Sequence, residues 1–355
     1  MPKRINVVLS QGQSNNPAKR KLEEDIVTAL LMEVGIDVTV IPHLYDLAPD
    51  GTGMLALQGV SGNLVVLSWM YERAARWILD RNSIAGHCGV TLLTAEDEED
   101  EDDETEQEQK DRVLDGRQLP NRKIYCIDLR SSKQAAEFVA EIKRIAAEEA
   151  TQVVDLMNWV GGNAKPEQLE RFAQPTNDTA LGSQPPAAKP DSGPAELFRI
   201  EETGGRRWYP VIDYSRCTNC MECIDFCLFG VYGVDRVETI LVEQPDNCRK
   251  GCPACSRVCP ENAIIFPQHK TPAIAGADVA AGSMKIDLSR LFGAPEGTED
   301  AFEVAARERD EQLVMAGRQA VGMDDLLARR QPSTVADSDK DELDSLIDEL
   351  DDLNL

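Results

Sequence analysis

The stretches CTNCMECIDFC (Cys217–Cys227) and CRKGCPACSRVCP (Cys248–Pro260) hold eight of the ten cysteines of this 355-residue chain. The first is spaced C-x2-C-x2-C-x3-C and the second C-x3-C-x2-C-x3-C, followed by proline. Three thiolates on one tight loop can be aimed at three iron corners of a cubane cluster, and the fourth cysteine of each run then ligates the other cluster. That logic assigns Cys217, Cys220, Cys223 and Cys259 to one [4Fe–4S] cluster, and Cys248, Cys252, Cys255 and Cys227 to a second. Two other readings compete. Disulfides need an oxidising compartment, and structural zinc prefers two well-separated C-x2-C pairs, often with histidine.

Beyond the cysteines, Tyr209-Pro210-Val211-Ile212-Asp213 precedes the first run and Cys259-Pro260-Glu261-Asn262-Ala263-Ile264 closes the second. With them, residues 206–270 resemble a bacterial-type ferredoxin domain, a small α+β fold with two [4Fe–4S] clusters. The resemblance implies single-electron transfer with a redox partner protein. Two departures stand out: Leu228 takes the place of a proline after the first run, and the Cys248–Cys252 gap is one residue longer than usual. The longer loop bears on the second cluster's potential and accessibility. Ile212, Ile224, Phe226, Val258, Ile264 and Phe266 read as the small core that also limits water near the sulfurs.

Upstream the pattern changes. INVVLS (Ile5–Ser10), DVTVI (Asp37–Ile41), NLVVLS (Asn63–Ser68), GVTLLT (Gly89–Thr94) and KIYCIDL (Lys123–Leu129) read as strands. Helices fall between them. Leu22, Ile26 and Leu30 line one face behind Pro17, and Ala135, Phe138, Val139, Ile142, Ile145 and Ala146 form another stripe. Alternating strands and helices predict an α/β domain over residues 1–160, a parallel sheet with right-handed crossovers. A Pro/Gly/Ala-rich linker is expected over 161–205 and a mostly disordered tail over 271–355.

The turn after the first strand, Ser10 to Asn16, offers Ser10, Ser14 and Asn15 to an anion at a helix N-terminus. Trp69 and Tyr71 follow the third strand, where open α/β sheets bind ligands. Together these loosely resemble a flavodoxin-like domain and imply FMN, although no T-x-T-G-x-T loop is present; the competing reading is an ordinary polar turn with packing aromatics. His87-Cys88 is a thiol beside an imidazole with no third partner in view. Cys126 and His43 read as core and packing residues.

The net charge is −26, and most of it is local. Residues 96–108 carry −11, inside an insertion expected at about 95–118, and residues 337–352 carry −8. Such blocks repel themselves and do not fold alone. Leu343, Leu346, Ile347, Leu350 and Leu353 nonetheless line one face of an acidic amphipathic helix at about 338–353, suited to a partner's groove. The acidity and 5% aromatic content argue against nucleic acid. No apolar run approaches the roughly 20 residues of a membrane span, and only a short one follows Met1–Arg4, so the chain reads as cytoplasmic. The leading expectation is an electron-transfer protein. One alternative is an oxidoreductase whose sheet domain binds flavin or substrate and is wired to the clusters; another is an assembly or sensing subunit with structural clusters.

Overall fold

The structure, a computed structural model, describes residues 4–93, 111–150, 197–202, 204–278 and 301–322. The strands β1 (Ile5–Ser10), β2 (Ile36–Ile41), β3 (Leu64–Ser68), β4 (His87–Cys88), β5 (Lys123–Asp128) and β6 (Leu197–Arg199) form one sheet in the order β4-β5-β3-β1-β2-β6. Every pairing is parallel. Successive side chains leave opposite faces of a strand, so Val7, Leu9, Val65, Leu67 and Ile127 enter one core and Val8, Val66, Ile124 and Cys126 another. Burial on both faces explains why these strands read as continuous apolar runs instead of alternating ones.

The first face is covered by α1 (Pro17–Leu31) and α4 (Ala135–Ala150) through Ile26, Leu30, Phe138, Ile142 and Ile145. Helix α1 starts sharply because the Asn16 side chain accepts from the Ala18 N–H and Pro17 needs no donor there. The second face is covered by α2 (Thr52–Gln58) and α3 (Glu72–Arg81), and also by Tyr209, Val211 and Ile265 of the cysteine-rich segment. Sheet and cysteine-rich segment therefore share a core.

Three expectations change. Of the segment expected as a strand at Gly89–Thr94, the described part, Gly89–Leu93, is not a strand; the edge pairing uses His87 and Cys88 instead. Gly89 then lies so close over Tyr125 that a Cβ would come within 2.3 Å of the ring, and Leu92 N–H turns away to the Glu141 carboxylate. Within the presumed linker, Leu197–Arg199 adds β6 to the sheet edge, and the Glu202 carboxylate accepts from the N–H groups of Ala48 and Gly53 at the start of α2. Gly51 leaves room for it, because a Cβ would meet that carboxylate at 2.2 Å. Finally, the end of the acidic insertion is not a solvated loop. Val113–Gly116 forms a 3-10 turn bonded to the cysteine-rich segment.

Residues 297–355 form a separate unit, of which helix α8 (Ala301–Met315, numbered after α5–α7 below) is described with the turn to residue 322. There the Asp310 carboxylate accepts from Gly322 N–H and pairs with the buried Arg309. The acidic run 96–108, most of the linker and the helix expected at 338–353 lie outside the described residues. No helix among those described is long and apolar enough to cross a membrane.

Candidate metal centre

The cysteine-rich segment is built on two short antiparallel pairs, β7 (Val211–Ile212) with β10 (Ile264–Ile265) and β8 (Tyr232–Val234) with β9 (Ile240–Val242). Two one-turn helices, α5 (Glu222–Phe226) and α6 (Ala254–Val258), contain the third cysteine of each run; α7 (Pro272–Ala275) follows. The C-x3-C spacing is one helical turn: Cys227 N–H bonds the Cys223 carbonyl, and Cys259 N–H bonds that of Cys255. At Cys227 and Cys259 the backbone becomes extended, with ψ of 110° and 116°. The fourth cysteine of each run thus leaves its helix and is free to reach elsewhere.

Cys259 reaches the other run. A small cavity is lined by Cys217, Cys220, Cys223 and Cys259, with Ile212, Ile240 and Ile264 among its apolar walls. Asn219 and Met221 take left-handed φ of 58° and 64° between the ligands, which folds the loop tightly enough to turn three thiols inward. The Asn219 side chain fixes that loop to the neighbouring hairpin, accepting from Ile240 N–H and donating to the Glu238 carbonyl. In the second loop Gly251 supplies φ of +87°.

Electrostatics sort the thiols into the same two sets. Burial raises Cys217 to about 11, and the neighbouring Cys259 and Cys220 add to the shift. Burial raises Cys223 further, again with Cys259, Cys217 and Cys220 as neighbours. Cys255 is raised by burial and then by Cys227, Cys248 and Cys252, and Cys248 by burial and then by Cys252 and Cys227. Buried thiols of this kind resist ionising alone, and a cationic iron centre supplies the compensating charge that a thiolate ligand needs. Donors already point at the sulfurs: Asn219 N–H at Cys217 Sγ (3.4 Å), Ala263 N–H at Cys259 Sγ (3.3 Å) and Tyr232 O–H at Cys255 Sγ (3.1 Å). Among the described residues, no three Cys, His, Asp or Glu side chains are arranged to hold a single ion. The sulfurs around the cavity line its walls without converging on one point.

The sheet module holds these loops in place. Arg73 of α3 donates to the Asp213 carboxylate at 2.5 Å and to the Asn262 carbonyl, with both side chains almost fully buried. Asp213 in turn takes Ser215 N–H and hydroxyl, while its carbonyl accepts from Cys217 N–H. From the far side, Arg112 bonds Glu261 and the Arg216 carbonyl, and Val113 N–H bonds the Cys217 carbonyl. Tyr45 and Tyr209 stack at 4.3 Å and exchange hydrogen bonds through both hydroxyls. Trp208 stacks on Phe266 and donates its Nε1–H to the Cys252 carbonyl.

The residues expected to form a flavin or phosphate site have other partners. Ser10 is buried, donating to the Pro42 carbonyl and accepting from Leu44 N–H. Ser14 is exposed and accepts from Asn16 N–H within its own turn; Asn15 is exposed beside it. Trp69 donates to the buried Glu23 carboxylate, its face carries Lys19 at 4.1 Å, and it packs against Gly12. Strand order reverses between β1 and β3, the switch point at which such sheets bind ligands, and Trp69 packs beside it on Gly12. Tyr71 is covered by Arg130, whose guanidinium lies 3.8 Å from the ring centre. His87 and Cys88 sit exposed on the edge strand; Cys126 is core, with its thiol raised by burial. His43 faces Gln13 and Asp46.

Comparison with known proteins agrees on the cysteine-rich segment. An uncharacterized ferredoxin of Methanocaldococcus jannaschii is 49% identical over 82 residues, which cover 22% of this chain and 54% of that protein, so the match spans about half its length. Pyruvate synthase subunit PorD of the same organism is 36% identical over 59 residues, 17% of this chain and 66% of that subunit. No family model and no solved structure matches the chain. Ferredoxin-3 of a Nostoc species is 32% identical over 80 residues, 17% of this chain but 81% of that protein. Through this segment the chain belongs to the ferredoxin family.

Proposed function

We propose that the protein passes single electrons through two [4Fe–4S] clusters, one held by Cys217, Cys220, Cys223 and Cys259, the other by Cys227, Cys248, Cys252 and Cys255. The observation that carries the reading is the cavity lined by three cysteines of the first run and the last cysteine of the second. Cross-ligation of this kind is what two interleaved C-x3-C runs are spaced to do. When bound, each cluster supplies a one-electron redox centre.

The chain's own residues would bind and tune it. Ile212, Ile240 and Ile264 exclude water from the first cavity, and the N–H and O–H donors on sulfur disperse negative charge. A redox-complex subunit is the second reading, favoured by the likeness to a pyruvate synthase subunit and by the sheet module sharing a core with the cluster segment. Both readings require a redox partner protein. The test is composition: anaerobically purified protein should hold about eight irons and give a cubane EPR signal on reduction. Stoichiometric zinc without iron would overturn the assignment.

A further inference from the structure

A cavity of about 400 Å³ opens where the C-terminal end of α3 meets β7 and β9, lined by Asp80, Arg81, Arg117, Ile212, Tyr214 and Val242 among others. Its two cations are not equivalent. Arg117 is neutralised by Asp80, with Nη1 and Nη2 on the two carboxylate oxygens at 2.8 and 3.3 Å, and lies over the Tyr214 ring. Arg81 forms no ion pair among the described residues; Asp246, which acts on it through space, is itself bound by Arg207. Its guanidinium lies over the Tyr209 ring, its Nη2 reaches only the Val242 carbonyl at 3.5 Å, and its Nε is buried without a hydrogen-bond partner. A half-buried guanidinium whose buried Nε–H has no acceptor carries a cost, and a carboxylate matches its planar fork. The remaining polar side chain, Asn82, spends its amide on the Ile78 carbonyl, so little else there would serve a dianion. The other wall is apolar: Ile212, Tyr214, Leu241 and Val242.

We propose that this cavity binds an organic monocarboxylate, with its carboxylate on Arg81 and its apolar body against Ile212, Tyr214 and Val242. Ile212 also lines the cavity of Cys217, Cys220, Cys223 and Cys259. Ile212 thus belongs to both walls, and a negative charge beside it disfavours adding an electron to the first cluster. The ligand lowers that cluster's potential. This coupling rests on the two-cluster reading; the binding site itself does not.

The experiment is calorimetry on anaerobically purified full-length protein, with benzoate, benzamide and inorganic phosphate as probes. Benzoate should bind saturably, and benzamide about tenfold more weakly or worse, a difference of about 1.4 kcal/mol. Arg81→Gln should weaken benzoate by a similar factor. Val242→Trp, which fills the cavity and leaves Arg81 intact, should abolish binding. Arg199→Gln, at an exposed pair remote from the cavity, should change nothing. Absence of saturable binding at millimolar benzoate, or phosphate binding more tightly than benzoate, overturns the site. Redox titration of the loaded protein should show benzoate lowering one midpoint potential and leaving the other. An unchanged potential alongside measured binding overturns the coupling, and protein that binds benzoate but holds no iron overturns the cluster reading alone.

Discussion

Replacing Arg73 with methionine keeps the aliphatic length of the side chain and removes its charge from the boundary between α3 and the first cysteine loop. Arg73 is 9% exposed and Asp213 only 1%, so the pair is almost fully withdrawn from water. Breaking a buried ion pair from one side costs about 3–5 kcal/mol. The low end applies here, because Asp213 keeps two bonds from Ser215 and a weak approach from Arg216 at 3.8 Å. The Asn262 carbonyl also loses its donor. With a urea slope of about 2 kcal/mol/M, a loss of about 3 kcal/mol lowers the unfolding midpoint by about 1.5 M. The assay is anaerobic urea titration followed by far-UV circular dichroism and by visible absorbance of the bound iron centre. The absorbance transition should move at least as far as the circular dichroism one, since the contact lies directly against the Cys217 loop. Asp213→Asn in a double-mutant cycle should show strong coupling with Arg73→Met. The exposed pair Arg199–Glu24 is the control, where Arg199→Gln should cost about 1 kcal/mol or less. An Arg73→Met loss no greater than that control refutes the argument that this contact fastens the cluster loop.

Three further outcomes follow from the geometry. Cys259→Ser should remove about four of about eight irons and spare the second cluster, and Cys227→Ser should do the reverse; iron analysis with EPR checks this, and loss of the second cluster by Cys259→Ser sinks the cross-ligation. Burial holds His43 below its ordinary value despite Asp46, with Arg206 pushing the same way as burial. The unfolded chain then binds the extra proton first, so stability should be level above about pH 6.5 and fall as pH drops below it; urea midpoints across pH should lose part of that slope in His43→Gln, because burial also holds His269 low. Trp69→Phe removes the indole donor from Glu23, which is 2% exposed and keeps Gly12 N–H and Arg20. Leaving a buried acceptor short of one charged hydrogen bond costs about 1–3 kcal/mol, read by thermal denaturation, and FMN added to that variant should still give no flavin absorbance in the gel-filtered protein.

The parallel sheet was legible because strands buried on both faces are written as apolar runs, and INVVLS and KIYCID need no tertiary information to be recognised. The nearness of Cys259 to the first run was legible for a similar reason, since a one-turn spacing places the fourth cysteine at a helix end. The fastening of one module to the other was not. Arg73 meets Asp213 across 140 residues, Arg112 meets Glu261 across 149, and Tyr45 meets Tyr209 across 164. Each is an ordinary residue in its local window. Strand β6 is three residues beside a Pro/Gly-rich stretch, and nothing local distinguishes it from linker until β2 offers a free edge. The partners of Ser10 and Trp69 were hidden for the same reason: both stand where open sheets bind ligands, and only the fold brings Leu44 N–H and Glu23 to them.

These long-range contacts bear on electron transfer. A centre that gains and loses charge works best when its surroundings need not rearrange, which is the general advantage of dipoles fixed in advance. Here the backbone of each loop is fastened by a group outside it: the Cys217 carbonyl by Val113 N–H, the loop after β7 by Arg73 and Arg112, and the Cys252 carbonyl by Trp208. Two of these three fastenings come from the sheet module or the turn that follows its acidic insertion. The sheet therefore acts as part of the scaffold for the cysteine loops, in addition to any partner it docks. Beside the crevice at β1 and β3 the chain packs its own Trp69 on Gly12, and at the boundary with the cysteine-rich segment Arg81, in no ion pair among the described residues, lines a cavity with Ile212.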